Sequence, residues 1–128
     1  DIEINKYLLS VCLNVYAKED KPERLDYYYE KYEDIAMASE YALSCLLRGW
    51  SKCQMEDYHY KGSRIAVQIS EQHGTSSQRV TMTPSLCNAI LLIFRTAGQP
   101  EHAKELLKKL EGEVSLNEET SQILRDFT

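Results

Sequence analysis

Glycine and proline are scarce in this 128-residue chain, with five and three copies. So few breakers leave helices free to run unbroken from turn to turn. No apolar run approaches the roughly 20 residues of a membrane-spanning helix, so no membrane span is expected. Cys12, Cys45, Cys53 and Cys87 form no C-x-x-C pair, and no histidine stands at metal-ligand spacing from them. Three of them fall in apolar helical patterns, which points to reduced, buried thiols in an intracellular compartment. Basic residues are outnumbered 15 to 20, and the net charge of −5 counts against a general polyanion binder. There is no glycine-rich phosphate loop, no H-E-x-x-H and no nucleophile motif, so neither an enzyme nor a cofactor is expected. The chain opens at Asp1 and stops within the helical pattern TSQILRDFT, which reads as a piece of a longer protein whose address signal would lie elsewhere.

What is present is hydrophobic content of 43%, enough for one continuous core, arranged in helical periods. The clearest stretch is PSLCNAILLIFRTAGQPEHAKELLKKLEG at 84–112. Pro84 and Ser85 suit a helix entry, with Ser85 as the expected cap, and Leu86, Ile90, Leu91, Ile93 and Phe94 form a wide apolar face. Gly98 ends that helix, and Pro100 opens a second one carrying Ala103, Leu106, Leu107 and Leu110 on one side. Glu105 and Lys109 are expected to pair at i, i+4 on the other side. A helix hairpin of this size buries too little surface to stand alone and calls for neighbours of its own shape.

Those neighbours are in the sequence. LLSVCLNVYAK (8–18), ALSCLLRGWSK (42–52) and LCNAILLIFRT (86–96) align, with Ser10, Ser44 and Asn88 in one register and Tyr16, Trp50 and Phe94 in another. The intervals are 34 and 44 residues, and a fourth copy would begin near Gln122. Aligning the second helices on Leu25, Ala66 and Ala103 divides the ten extra residues into seven near CQMEDYHYKGS (53–63) and three near GTSSQRVTMT (74–83), both read as loops. The expected fold is all-α: an α-solenoid of helix-turn-helix units at about 6–39, 40–83 and 84–117, with a partial unit at 118–128. Charge is uneven along it, with six bases and three acids in 41–100 between two acidic ends.

The stretch SLCNAILLIFRTAGQPEHAKELLKKLEGEVSLN (85–117) resembles the pentatricopeptide repeat family. The carriers are the early Asn88, the R-x-x-G turn, the small Ala103 and the Leu106-Leu107 pair, with a W-S-K ending in the middle copy. Tetratricopeptide repeats are the nearest rival, but their W-x-x-L-G-x-x-Y pattern is missing from all three copies. The resemblance implies single-stranded RNA as partner, in a mitochondrion or plastid, read at one base per repeat. The family's base-reading positions map to Ser10, Ser44 and Asn88, with partners Ser39, Thr83 and Asn117. Asn88 with Asn117 matches a pair the family uses for pyrimidines, whereas Ser10–Ser39 and Ser44–Thr83 depart from its common pairs. Lys18, Lys52 and Arg95 map to phosphate contacts.

Plainer roles stand beside these. Asn88 suits a bond to the next repeat, and Lys18 and Lys52 suit the negative ends of their helices. Trp50, Tyr16 and Phe94 read as packing, while Tyr58, His59 and Tyr60, placed in the first insertion, read as less easily explained by a core. The rival function is a protein-binding scaffold that uses the same groove for a peptide or a complex subunit.

Overall fold

A computed structural model describes residues 4–127, and the described residues form eight helices and no strand. They are α1 (Lys6–Lys18), α2 (Pro22–Lys31), the short α3 (Glu33–Ala36), α4 (Glu40–Lys52), α5 (Glu56–Gln72), α6 (Pro84–Thr96), α7 (Pro100–Lys109) and α8 (Glu118–Arg125). All three prolines stand at the first turn of a helix, where the missing N–H costs nothing. The protein is therefore all-α, and none of its described helices is long and apolar enough to cross a membrane.

Local chemistry repeats with the helices. α1 and α6 end in the same way: Lys21 N–H donates to Tyr16 O at 3.0 Å, and Gln99 N–H to Phe94 O at 2.9 Å. Each bond closes over a residue at positive φ, Asp20 at 53° and Gly98 at 68°. This is the left-handed residue that lets the chain reverse into α2 and α7. The cap of α6 is Thr83 and not Ser85, with Thr83 Oγ1 accepting from Leu86 N at 3.2 Å. Pro84 takes the first helical position, so the capping side chain must come from the residue before it.

The long first helices pack in a row, α1 on α4, α4 on α6 and α6 on α8, while α2, α5 and α7 lie against α1, α4 and α6. Leu9, Leu13, Leu43, Leu47, Trp50, Leu91 and Phe94 are sealed in the resulting core. Each repeated aromatic stacks on a ring of the helix that follows it: Tyr16 on Tyr28 at 5.6 Å, Trp50 on Tyr58 at 5.5 Å and Phe94 on His102 at 5.5 Å. Close approach of α4 to the first pair depends on Gly49, where an added Cβ would sit 2.5 Å from Leu25 Cδ1 and 2.9 Å from Ala17 Cβ. Gly49→Ala is expected to gain about 1 kcal/mol in helix propensity and lose about 1–3 kcal/mol to overpacking. Urea unfolding should therefore show a net loss, and a stabilised variant would mean that the α1–α4 contact is looser than this geometry.

The placement of the insertion differs from the sequence reading. Turns 19–21, 53–55 and 97–99 have equal length, so α2, α5 and α7 begin at Pro22, Glu56 and Pro100, each 16 residues after the start of its partner. The ten extra residues all follow the start of α5: seven lengthen that helix to 17 residues, and three lengthen the link 73–83 beyond the eight-residue stretches 32–39 and 110–117. Residues 56–63 are helix. Counted from the turn, Ala103 and Leu25 correspond to His59, and Ala66 is not their counterpart. Gly62, which suggested a loop, is in mid-helix because a Cβ there would meet Ile93 Cγ1 at 2.8 Å. Tyr58 accordingly packs, and His59 Nε2 lies 2.8 Å from Cys53 O. Lys109 does not turn to Glu105: its Nζ donates to Ser70 O at 2.6 Å, satisfying a carbonyl in the last turn of α5.

Candidate functional site

Ser39, Thr83 and Asn117 share one structural duty. They are the N-caps of α4, α6 and α8, accepting from the backbone N–H of Ala42, Leu86 and Thr120. Asn5 does the same for α1 through Leu8 N–H. Two of the three sequence-derived pairs are brought together on these caps. Ser10 Oγ donates to Lys6 O at 2.7 Å and lies 3.4 Å from Ser39 Oγ. Asn88 Nδ2 donates to Asn117 Oδ1 at 3.1 Å and to Glu119 Oε1 at 3.0 Å, and its Oδ1 accepts from Thr120 Oγ1 at 2.6 Å. Asn88 is 0% exposed and its amide is fully engaged within the protein. Ser44 is buried on α4, and no hydrogen bond joins it to Thr83 among the described residues.

The three candidate phosphate contacts divide as well. Lys18 and Lys52 are exposed in the last turns of α1 and α4, whereas Arg95 is held by Asp126 at 3.2 Å. The positive middle of the sequence is largely spent inside the fold. Of its six bases, Arg48 pairs with Glu119, Lys61 with Asp26 and Glu30, Arg79 with Asp34, and Arg95 with Asp126, leaving Lys52 and Arg64 outside these pairs. Arg48 grips Glu119 through two nitrogens, at 2.7 and 3.1 Å. Its hydrogen bond, more than any other influence, lowers the Glu119 pKa below the ordinary carboxylate value. The Arg48–Glu119 contact thus contributes fully above the unfolded carboxylate range and is lost as pH falls. The cysteines are free, and burial raises Cys45 and Cys53 and pushes Cys87 up to about 11, far from a reactive thiolate. Among the described residues no group of His, Cys, Asp or Glu is arranged to hold a metal ion.

The Ser10–Ser39 pair lies in a recess of about 520 Å³ between the starts of α1 and α4. Tyr7 and Tyr41 flank it and are 73% and 55% exposed. They are 34 residues apart in the same register of successive first helices, a spacing visible in the sequence but overshadowed by the buried aromatics; the third copy has Ser85 there. Lys6 and Arg79 supply cationic groups, and Glu40 supplies a carboxylate. Arg79 comes from the inserted link, which it ties back to α3 by donating to Asp34 O at 3.1 Å. Residues 79–81 thereby form one wall. The recess joins two aromatic faces, two hydroxyls and charges of both signs, a set that can stack a planar ring and hydrogen-bond its edge.

Compared with known proteins, the chain matches no protein-family model, no curated protein and no solved structure.

Proposed function

We propose that the chain is an α-solenoid of pentatricopeptide-type helix pairs, three with part of a fourth, that binds single-stranded RNA along the surface lined by α1, α4 and α6. Such binding would serve RNA processing, stability or translation in a mitochondrion or plastid. The reading rests on one observation above all: Tyr7 and Tyr41, one repeat apart, stand exposed at a recess that also holds the Ser10–Ser39 hydroxyls and two cationic side chains. Single-stranded RNA is bound by this combination of stacking faces and backbone-tracking charge. Ser10 with Ser39 is the pair that lines this recess. Asn88 with Asn117 serves the α6–α8 junction instead.

A titration with fluorescent single-stranded RNA tests this. Tyr7→Ala and Tyr41→Ala should each weaken binding about 5- to 100-fold, the usual worth of one stacked base. Lys52→Ala should weaken all sequences alike and lower the salt slope by about one. Unchanged affinity in both tyrosine variants would overturn the stacking reading. The second reading, a protein-binding scaffold, is favoured by the pairing of Arg48, Lys61, Arg79 and Arg95 with acidic partners, which removes much of the attraction for phosphates. It predicts a peptide or subunit that competes at Tyr7 and Tyr41 with little dependence on salt.

A further inference from the structure

We infer that the recess between α1 and α4 selects guanine, with Glu40 as the group that reads it; this rests on the RNA-binding reading above. Glu40 opens α4, where the positive end of the helix favours an ionised carboxylate. That explains its charge but not its surroundings. Its Oε2 is shut off from solvent and has no hydrogen-bond partner, and no ion pair engages the side chain among the described residues. Buried polar atoms are nearly always partnered, so this oxygen is an acceptor in want of a donor. Glu40 lines the recess, and its terminal torsion is broad enough to turn the carboxylate toward whatever enters.

The ligand chemistry follows from matching edges. A carboxylate offers two adjacent acceptors, and the Watson–Crick edge of guanine offers two adjacent donors, N1–H and N2–H. Adenine and cytosine each set a ring-nitrogen lone pair beside their amino group, and uracil flanks its single N–H with two carbonyls. Each of these turns at least one lone pair toward Glu40. Tyr7 and Tyr41 provide faces for the ring at the same recess. Lys6 is placed there for the attached phosphate. At about 520 Å³ the space is within the range of roughly 300–1,000 Å³ that small-molecule sites occupy.

The test uses the full 128-residue chain and oligouridine 12-mers carrying one central guanosine, inosine or adenosine. The guanosine oligomer should bind on the order of tenfold tighter than the adenosine one. Inosine, lacking the 2-amino group, should fall between them. Glu40→Gln should abolish the guanosine advantage while leaving the circular dichroism spectrum as in the wild type. RNA binding without a guanosine preference, or a preference that survives Glu40→Gln, overturns the guanine assignment and leaves the RNA reading standing. Folded wild-type protein that binds none of the oligomers overturns both.

Discussion

Replacing Trp50 by alanine is expected to destabilise the protein by about 3–5 kcal/mol, the cost of truncating a large buried aromatic. The indole is 0% exposed and touches several elements at once. It stacks on Tyr58 of α5 with an interplanar angle of 11°, meets Tyr29 of α2 edge-on at 6.2 Å, and donates from Nε1 to Pro22 O at 3.2 Å. Alanine would leave a cavity bounded by three helices, none of which can close it without moving its neighbours. It would also remove the indole hydrogen bond to the Pro22 carbonyl at the start of α2. Domains of this kind are stable by about 5–15 kcal/mol, so about a fifth or more of the margin is at stake. Urea unfolding should show the midpoint falling with little change in slope. Trp50→Phe should recover most of the loss, because it retains the stack and gives up the hydrogen bond. A loss below about 1 kcal/mol for the alanine variant would show that the α2–α4–α5 junction does not depend on this ring.

A second large effect is expected from Asn88→Asp, which changes almost no volume. The two N–H donors that now face Asn117 Oδ1 and Glu119 Oε1 would be replaced by an oxygen facing two oxygens, in a site closed to solvent. An uncompensated buried charge costs about 3–5 kcal/mol. Arg48 offers limited relief, since Glu119 already occupies two of its nitrogens. The introduced carboxyl would have its folded-state pKa raised by burial and by the Glu119 charge. A raised folded-state pKa makes the folded protein relatively most stable below the unfolded value near 4, with stability lost as pH rises through the folded value. The penalty should thus be full at neutral pH and shrink in acid, as denaturation at pH 7 and about pH 4 would reveal. A variant as stable as the parent at neutral pH would mean that Asn88 is accessible and free to face an outside partner.

Much of the framework was legible because capping and periodicity are local. The 34-residue spacing located the first helices, and Pro84, Gly98 and Pro100 marked the ends of α6 and α7. The second helices were misaligned for a physical reason. Ala66 and Ala103 are both small buried residues, but smallness reports the closeness of a neighbour and not a position in the repeat. The three-residue turn is the better ruler, since its length is set by the geometry of reversal. Charge was misleading in a different way. Four of the six bases of the middle segment are paired with acids 31 to 71 residues away, as with Lys61 and Glu30 or Arg48 and Glu119, and no count along the chain foretells those encounters. At the site, the Ser10–Ser39 and Asn88–Asn117 pairings were visible as register, but whether they open outward or are closed by Thr120 and Glu119 depends on packing. Tyr7 and Tyr41 carried a readable signal in their spacing; Arg79 and Glu40 carried none.

The ten residues that follow the start of α5 have a consequence for how a repeated chain acquires an address. Copies of a single unit create equivalent junctions, and a ligand has no basis for choosing among equivalents. Here α5 and the link after it are longer than their counterparts, and the link crosses back over the preceding junction, fastened there by Arg79 on Asp34. The first junction thereby gains a wall, while the one at Asn88 is closed by its own side chains. Symmetry between the two is broken by length before it is broken by side-chain identity. Added length of this kind makes one place unlike the next without disturbing the helices that hold the row together.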